Sequence, residues 1–101
     1  MSEKRREEYE QVLWWDLVEA VSLDPVWRTR LFTSPVGQVV EFGQEDLSRL
    51  PDTLSSQIKA NQLRFGCFND GMTEDGYVVF GFCSVEFPDL VEYSTNNPEI
   101  V

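Results

Sequence analysis

The segment Tyr77-Val-Val-Phe-Gly-Phe-Cys-Ser-Val-Glu-Phe87 decides the predicted fold. It is rich in β-branched and aromatic residues and follows the turn signal Glu74-Asp75-Gly76, so it predicts a central β-strand. Successive side chains of a strand point to opposite faces. One face carries Val78, Phe80 and Phe82, and the other carries Tyr77, Val79, Cys83, Val85 and Phe87. Because both faces are apolar, the strand is either covered on both sides or keeps one face for a partner.

The sequence before this segment predicts two more strands. Residues 63–68 alternate weakly in hydrophobicity and lead into Asn69-Asp70-Gly71, which predicts a strand followed by a hairpin loop. Residues 36–42 predict an earlier strand that Gly43 ends. Phe87-Pro88 ends the central strand, because proline cannot donate to a ladder. We therefore expect an antiparallel sheet of about three strands.

Residues 3–22 predict one amphipathic N-terminal helix. Its apolar arc, expected to face the core, consists of Tyr9, Leu13, Trp14, Leu17, Val18 and Val21. Trp15 lies off this arc beside Val12, and Glu8 and Glu19 are among its neighbours on the helical wheel. An aromatic side chain surrounded by carboxylates is the strongest local sign of a binding site in the sequence.

Shorter helices are predicted after this one. Asp24 and Pro25 form a typical start for a helix through residues 26–31, and a further helix is expected over residues 54–61. Residues 1–88 are therefore predicted to form a single compact α+β domain. In this domain a small antiparallel sheet is covered on one face by the N-terminal helix and one or two shorter helices. Residues 89–101 hold few apolar anchors and predict an acidic, partly disordered C-terminal tail.

The two cysteines and the lack of a targeting pattern indicate a cytoplasmic protein. With the hairpin tip near residues 71–73, Cys67 would lie opposite Val78 or Val79 rather than Cys83, so we expect two reduced, mostly buried thiols. No run of about 18 apolar residues predicts a membrane span. The basic N-terminus is followed by glutamates instead of an apolar segment, which is not typical of a signal peptide.

The charge of the chain is strongly negative and unevenly distributed. The formal net charge is −10, from 18 Asp and Glu against 8 Lys and Arg. After Arg64 the sequence contains no basic residue, whereas carboxylates continue. Such a field favours encounters with basic surfaces and repels nucleic acid and anionic membranes, so we expect no direct contact with either. The alternative explanation is solubility, since net charge keeps small proteins apart.

The sequence lacks the residues of common catalytic and metal sites, and we expect no enzyme activity, metal or cofactor. There is no histidine, and the glycines do not have the spacing of a nucleotide-binding loop. Neither Asp16 with Glu19 nor Asp70 with Glu74 and Asp75 has a spacing that places two carboxylates across a cleft. Residues 69–76 fail the EF-hand pattern and predict an acidic hairpin tip.

Our first functional hypothesis is a small acidic inhibitor that blocks a basic functional surface of a partner protein. The partner would be a nucleic-acid-handling protein or a toxin. The settings considered are a phage-type anti-defence protein, including a nucleic-acid mimic acting on a nuclease complex, and a toxin-neutralising immunity protein. Interfaces take most of their energy from a few aromatic anchors, with charges mainly steering association. The candidate partner-binding residues are Trp15 as anchor and Glu8, Asp16, Glu19, Asp70, Glu74, Asp75 and Glu86 as charges.

Two alternatives stay open. The first is a structural or assembly module, a homodimer formed through the second apolar face of strand 77–87. The second concerns Trp15, which belongs to the core if the helix carrying Trp27 folds back over it. Salt separates the two functions: electrostatic capture weakens as ionic strength rises, because surface charges are screened, whereas an apolar interface does not weaken.

Overall fold

A computed structural model describes residues 2–12 and 14–96 of the chain. It confirms the α+β fold, with helices on one face of an antiparallel sheet. In chain order the elements are α1 Ser2–Glu10, α2 Trp14–Leu23, α3 Pro25–Thr33, β1 Val40–Glu41, α4 Gln44–Ser48, α5 Asp52–Ala60, β2 Phe65–Met72, β3 Val78–Ser84 and β4 Val91–Asn96.

The strands lie in the sheet in the order β1-β2-β3-β4, which is also their order in the sequence. The sheet has one strand more than expected, because residues 91–96 of the predicted tail pair with β3. Residues 97–101 of that tail lie outside the described residues. The first strand is shorter than predicted: only Val40 and Glu41 form ladder pairs with β2, while Val36 makes an isolated bridge to Asn69.

The core lies between the helices and one face of the sheet. Phe80 and Phe82 of the central strand are fully buried there, as their shared face predicted. The buried apolar residues from the helices and the connecting segments are Tyr9, Val12, Leu17, Val18, Val21, Trp27, Leu31, Phe42, Leu50, Leu54, Ile58 and Leu63. Leu13, part of the predicted apolar arc, lies outside the described residues.

The prediction of one helix over residues 3–22 is wrong, because the chain breaks between α1 and α2. At the break the indole N–H of Trp14 donates to the carbonyl oxygen of Tyr9 at 3.1 Å. The rings of Tyr9 and Trp14 both pack edge-to-face on Phe65, with centroid distances of 5.4 and 5.1 Å. In a continuous helix, residues five apart differ by roughly 140° in direction and could not both reach that ring. The break also buries Val12, which the helical wheel had placed beside Trp15.

The start of α3 is where the sequence predicted it. The Asp24 carboxylate accepts a hydrogen bond from the backbone N–H of Val26 at 2.9 Å, and Pro25 occupies the first turn. Asp24 thereby satisfies one of the N–H groups that a helix start leaves without an intrahelical partner. This cap fixes the direction in which α3 leaves α2 and brings Trp27 into the core.

The predicted register of the β2–β3 hairpin is wrong. Cys67 lies opposite Phe82 instead of Val78 or Val79. The turn is nearer residues 73–77, where the Thr73 backbone N–H donates to the Tyr77 carbonyl oxygen at 2.8 Å, and β2 contains a bulge before it. Both cysteines are buried and free, and burial raises the pKa of the Cys67 thiol.

Candidate functional site

Trp15 stands on the surface side of α2, at the edge of the sheet. The buried face of this helix consists of Leu17, Val18 and Val21, so the Trp15 side chain points away from the core and is 70% exposed. The alternative in which the Trp27 helix covers it is wrong. Trp27 is itself only 1% exposed and packs edge-to-face on Phe42, with ring centroids 4.7 Å apart.

An open groove separates Trp15 from β4. It has a volume of about 340 Å³ and is lined by Trp15, Tyr93, Ser94 and Thr95. Trp15 supplies the exposed aromatic side chain of this groove, while the half-exposed ring of Tyr93 is directed to the other face of the sheet. Aromatic residues are enriched in protein–protein interfaces, so the exposed Trp15 makes this groove a candidate contact surface.

Tyr93 also belongs to the face of the sheet opposite the helices. There its ring meets Phe68 edge-to-face with a centroid distance of 6.2 Å. Phe68 lies across Gly81 of β3, where a Cβ atom would come within 2.1 Å of its ring. The glycine therefore lets an aromatic side chain cover the centre of this face. The second apolar face that the sequence predicted for the central strand is thus partly covered by Phe68 from β2.

A second, smaller groove lies on another side of α2. Its volume is about 250 Å³, and its lining combines the carboxylates of Asp16 and Glu19 with Ala20, Leu23 and Pro51. Neither carboxylate forms an ion pair with any residue in ranges 2–12 and 14–96. Glu19 is one helical turn after Trp15, so negative charge and exposed aromatic surface are neighbours on this helix.

Most of the arginines are neutralised within the molecule. The ion pairs join Arg5 to Glu8 and Glu86, Arg6 to Glu10 and Asp89, Arg30 to Asp46, Arg49 to Asp24 and Asp46, and Arg64 to Glu41. In the described part of the chain, the carboxylates left outside ion pairs are Glu3, Glu7, Asp16, Glu19, Glu45, Asp52, Asp70, Glu74, Asp75 and Glu92. The charge that the surface offers to a partner is therefore mainly negative.

Glu86 and Glu8, two of the candidate charges, are held by Arg5. The guanidinium of Arg5 lies 2.8 Å from Glu86 and 3.0 Å from Glu8. The hydroxyl of Tyr9 donates to Glu86 at 2.8 Å and accepts the backbone N–H of Arg64 at 3.1 Å. Glu86 thus connects α1 to the sheet. In the sequence, this contact between α1 and Glu86 is indicated only by the spacing of Arg5 and Tyr9, which lie four residues apart on one helix.

The remaining candidate charges lie on the β2–β3 hairpin. Asp70 is exposed beside the bulge of β2, and Glu74 and Asp75 are exposed in the turn. Asn96, the last residue of β4, pairs with Val78 just after this turn. β4 passes the groove at residues 93–95 and ends at Asn96. The hairpin carboxylates therefore lie at the end of the sheet where β4 ends.

Stability should fall in acid because several carboxylates titrate below their usual range. The hydrogen bond from Arg5 lowers the pKa of Glu86, and the Tyr9 hydroxyl lowers it further. Arg6 does the same to the pKa of Asp89. A carboxyl with a lowered folded pKa stabilises the fold fully above its unfolded pKa, about 4.3 for Glu, and this contribution is lost as pH falls through the folded value. We expect the urea midpoint to be level from about pH 7 to 5 and to decrease towards about pH 3.

The matched control for this pH dependence is the double variant Glu86→Gln, Asp89→Asn. It lacks both titrating groups, so its midpoint should decrease less than that of the wild type over the same acid range. Parallel decreases in the two proteins would show that these two carboxyls do not contribute to the acid dependence.

Within ranges 2–12 and 14–96, no group of three or more His, Cys, Asp or Glu side chains is arranged to hold a metal ion. In the same ranges, none of the helices combines the length and the apolar character needed to cross a membrane.

Comparison with known proteins found no protein-family model, no curated protein and no solved structure that matches this chain.

Proposed function

We propose that this protein is a small acidic inhibitor that binds a basic functional surface of another protein, with Trp15 as the anchor. The single observation that carries the proposal is the 70% exposure of Trp15 beside an open groove and next to the carboxylates of Asp16 and Glu19. Tryptophan has a large apolar ring and a polar N–H, so an exposed indole offers a partner a large area to bury.

In the proposed interface the carboxylates and Trp15 have different roles. Carboxylates outside ion pairs produce a negative field that accelerates association with a basic surface. Trp15 would then supply most of the binding energy, because tryptophan is enriched among the residues that dominate interfaces. Asp16 and Glu19 are the nearest of the candidate charges in sequence, with Asp70, Glu74 and Asp75 further along the sheet. The proposed role is binding without catalysis.

The proposed partner is a protein whose function depends on a basic surface. A nucleic-acid-handling protein fits this description, because its phosphate-binding surface is basic. A basic toxin fits it as well. In the first case the protein would act as an anti-defence protein that imitates nucleic acid, and in the second as an immunity protein. Both settings place it in the cytoplasm of the cell in which its partner acts.

Affinity capture with two baits tests this function. The tagged wild type should retain a basic partner at low salt and release it as salt rises, because screening weakens surface attraction. Trp15→Ala should retain less than a tenth as much partner, since loss of an anchor typically costs 2 kcal/mol or more, roughly a 30-fold loss of affinity. The measurement is quantitative mass spectrometry of the proteins retained at each salt concentration.

The control bait is Val36→Ala. Val36 is 68% exposed but lies beside β2 near the opposite edge of the sheet. This variant should retain the partner as the wild type does. Equal retention by all three baits, or retention that does not change with salt, would contradict the proposal.

A homodimer is the second candidate function. It is favoured by the face of the sheet opposite the helices, where Phe68 and the half-exposed Tyr93 are in contact. An apolar dimer interface would not weaken with salt, whereas two copies with a charge of −10 each repel one another more strongly at low salt. Sedimentation at low and high salt separates the two functions, because only the homodimer has twice the monomer mass without a partner.

A further inference from the structure

We infer that the partner contributes an extended segment with basic side chains at alternate positions, and that this segment pairs with β4 as a fifth strand of the sheet. The inference rests on the proposed function, because it specifies the chemistry of the partner at the Trp15 groove. It adds a backbone pairing that the proposed function does not require.

β4 is an edge strand with few of the features that usually prevent pairing. It is the last strand of the sheet, and its six residues pair with β3 without a register shift. Natural edge strands are commonly protected by lysine, proline, bulges or short length. β4 contains no lysine, arginine or proline. Its one charged residue, Glu92, is opposite Phe82 and so lies on the helix side, where α2 packs beside β4 and the groove lies between Trp15 and the strand. By contrast, β1 at the other edge has only two residues.

The register shows which backbone groups of β4 face outward. The Ser84 backbone N–H donates to the Leu90 carbonyl oxygen at 3.2 Å, which makes this pair a hydrogen-bonded one. Hydrogen-bonded pairs alternate with non-hydrogen-bonded pairs in an antiparallel ladder. The β4 residues in hydrogen-bonded pairs are therefore Glu92, Ser94 and Asn96. The backbone N–H and C=O groups of Val91, Tyr93 and Thr95 point away from β3.

The groove beside Trp15 is placed to receive side chains of an added strand. Ser94 is opposite Phe80 and so lies on the helix side of the sheet, where Trp15 also stands. Every second side chain of a strand paired with β4 would point to that side. An arginine or lysine there can lay its aliphatic stem against the indole and its cation near Glu19, combining a cation–π contact with charge attraction.

Charge complementarity selects a basic segment over a second copy of this chain. No basic residue follows Arg64, and Glu86 and Asp89 of the β3–β4 connection are paired with Arg5 and Arg6. Among the described residues, the carboxylates outside ion pairs on the elements that flank the groove are Glu92 of β4 and Asp16 and Glu19 of α2. Pairing of two β4 strands would bring together two chains with a formal charge of −10 each. A basic segment would instead gain from the same field. Main-chain hydrogen bonds supply affinity in this mode of recognition, and alternate side chains supply specificity.

Amide hydrogen exchange with a defined probe tests the inference. The probe is a synthetic eight-residue peptide of alternating arginine and valine, added to the isotope-labelled full chain. The amides of Val91, Tyr93 and Thr95 should gain at least tenfold protection when the peptide is present. The amides of Glu92 and Ser94 are already bonded to β3 and should change much less. Absence of this alternating pattern would overturn the inference.

Two variants at one position separate backbone pairing from side-chain contact. Thr95→Pro removes an outward N–H that does not donate to β3, so the fold should persist, and Thr95→Val retains that N–H with a side chain of similar shape. We expect the peptide to bind Thr95→Pro at least tenfold more weakly than Thr95→Val. Equal affinities would overturn the inference, as would concentration-dependent protection of the three amides in the free chain, which would assign the edge to a second copy.

The two proposals can fail separately. If affinity capture is salt-sensitive and depends on Trp15 but is unaffected by Thr95→Pro, the inhibitor function stands and strand addition is wrong. If the peptide protects the three amides but no salt-sensitive partner is captured, strand addition stands and the proposed function is wrong.

Discussion

Replacement of Trp27 with alanine is expected to lower the free energy of unfolding by about 3–5 kcal/mol. Trp27 is among the largest fully buried side chains, and it makes two specific contacts. Its ring meets Phe42 edge-to-face, and the Arg30 guanidinium lies 4.4 Å from the ring centroid. Alanine would remove the transfer energy of the indole and leave a cavity between α3 and its neighbours. Urea denaturation at neutral pH measures the loss.

The matched control is the same substitution at Trp15. Because this side chain is mostly exposed, Trp15→Ala should change the free energy of unfolding by no more than about 0.5 kcal/mol. The pair of variants therefore compares identical chemical changes at a buried and an exposed site. A loss of several kcal/mol at Trp15 would place that residue in the core and remove the basis of the proposed anchor.

The second large effect is expected at Tyr9. This residue is completely buried, and its ring packs edge-to-face on both Phe65 and Phe87. Tyr9→Ala should cost about 3–5 kcal/mol, as for other buried aromatic residues. Tyr9→Phe should cost about 1–2 kcal/mol, because it leaves the ring in place and removes only the acceptor for the Arg64 N–H and the donor to Glu86. Denaturation curves of the two variants measure both losses.

The ratio of these two losses identifies what Tyr9 contributes. A small loss for Tyr9→Phe and a large one for Tyr9→Ala would assign most of its contribution to ring packing. Equal losses would contradict this expectation and assign the attachment of α1 to the hydroxyl. Glu86→Gln is the control, since its side-chain oxygen still accepts a hydrogen bond from Tyr9 while the charge that attracts Arg5 is gone.

Local signals in the sequence predicted the parts of the fold that depend on neighbouring residues. The β-branched and aromatic residues of 77–87 identified the central strand, although it ends at Ser84 instead of at the predicted stop, Phe87-Pro88. Asp24 with Pro25 identified the start of α3. A helix was also expected over residues 54–61, and α5 lies there with Leu54 and Ile58 buried. In each case the elements follow from propensity, capping or periodicity within a few residues.

The parts that the sequence analysis missed depend on distant contacts. The break before α2 brings Tyr9 and Trp14 onto Phe65, which is far along the chain. Residues 91–96 are polar at several positions, and they form a strand because β3 offers a partner edge. A helical wheel or a composition count cannot predict either contact.

The candidate site was predicted only in part. The position of Trp15 off the apolar arc left open whether this residue is exposed or covered by α3, and the structure shows that it is exposed. The salt bridge between Glu86 and Arg5 was missed, because it joins residues 81 positions apart. The outward backbone groups of β4 could not be predicted from side chains, since they depend on the register of β4 against β3.

The order of the strands has a consequence for the kinetics of folding. The pairs β2–β3 and β3–β4 close the short connections 73–77 and 85–90 with a small entropy cost, whereas α4 and α5 lie between β1 and β2. The contacts from Arg5 to Glu86 and from Arg6 to Asp89 instead close almost the whole described chain. The sheet can therefore assemble before α1 docks, and contacts made after the rate-limiting barrier mainly set the rate of unfolding. On this basis the docking of α1 lowers the rate of unfolding and leaves the rate of folding nearly unchanged.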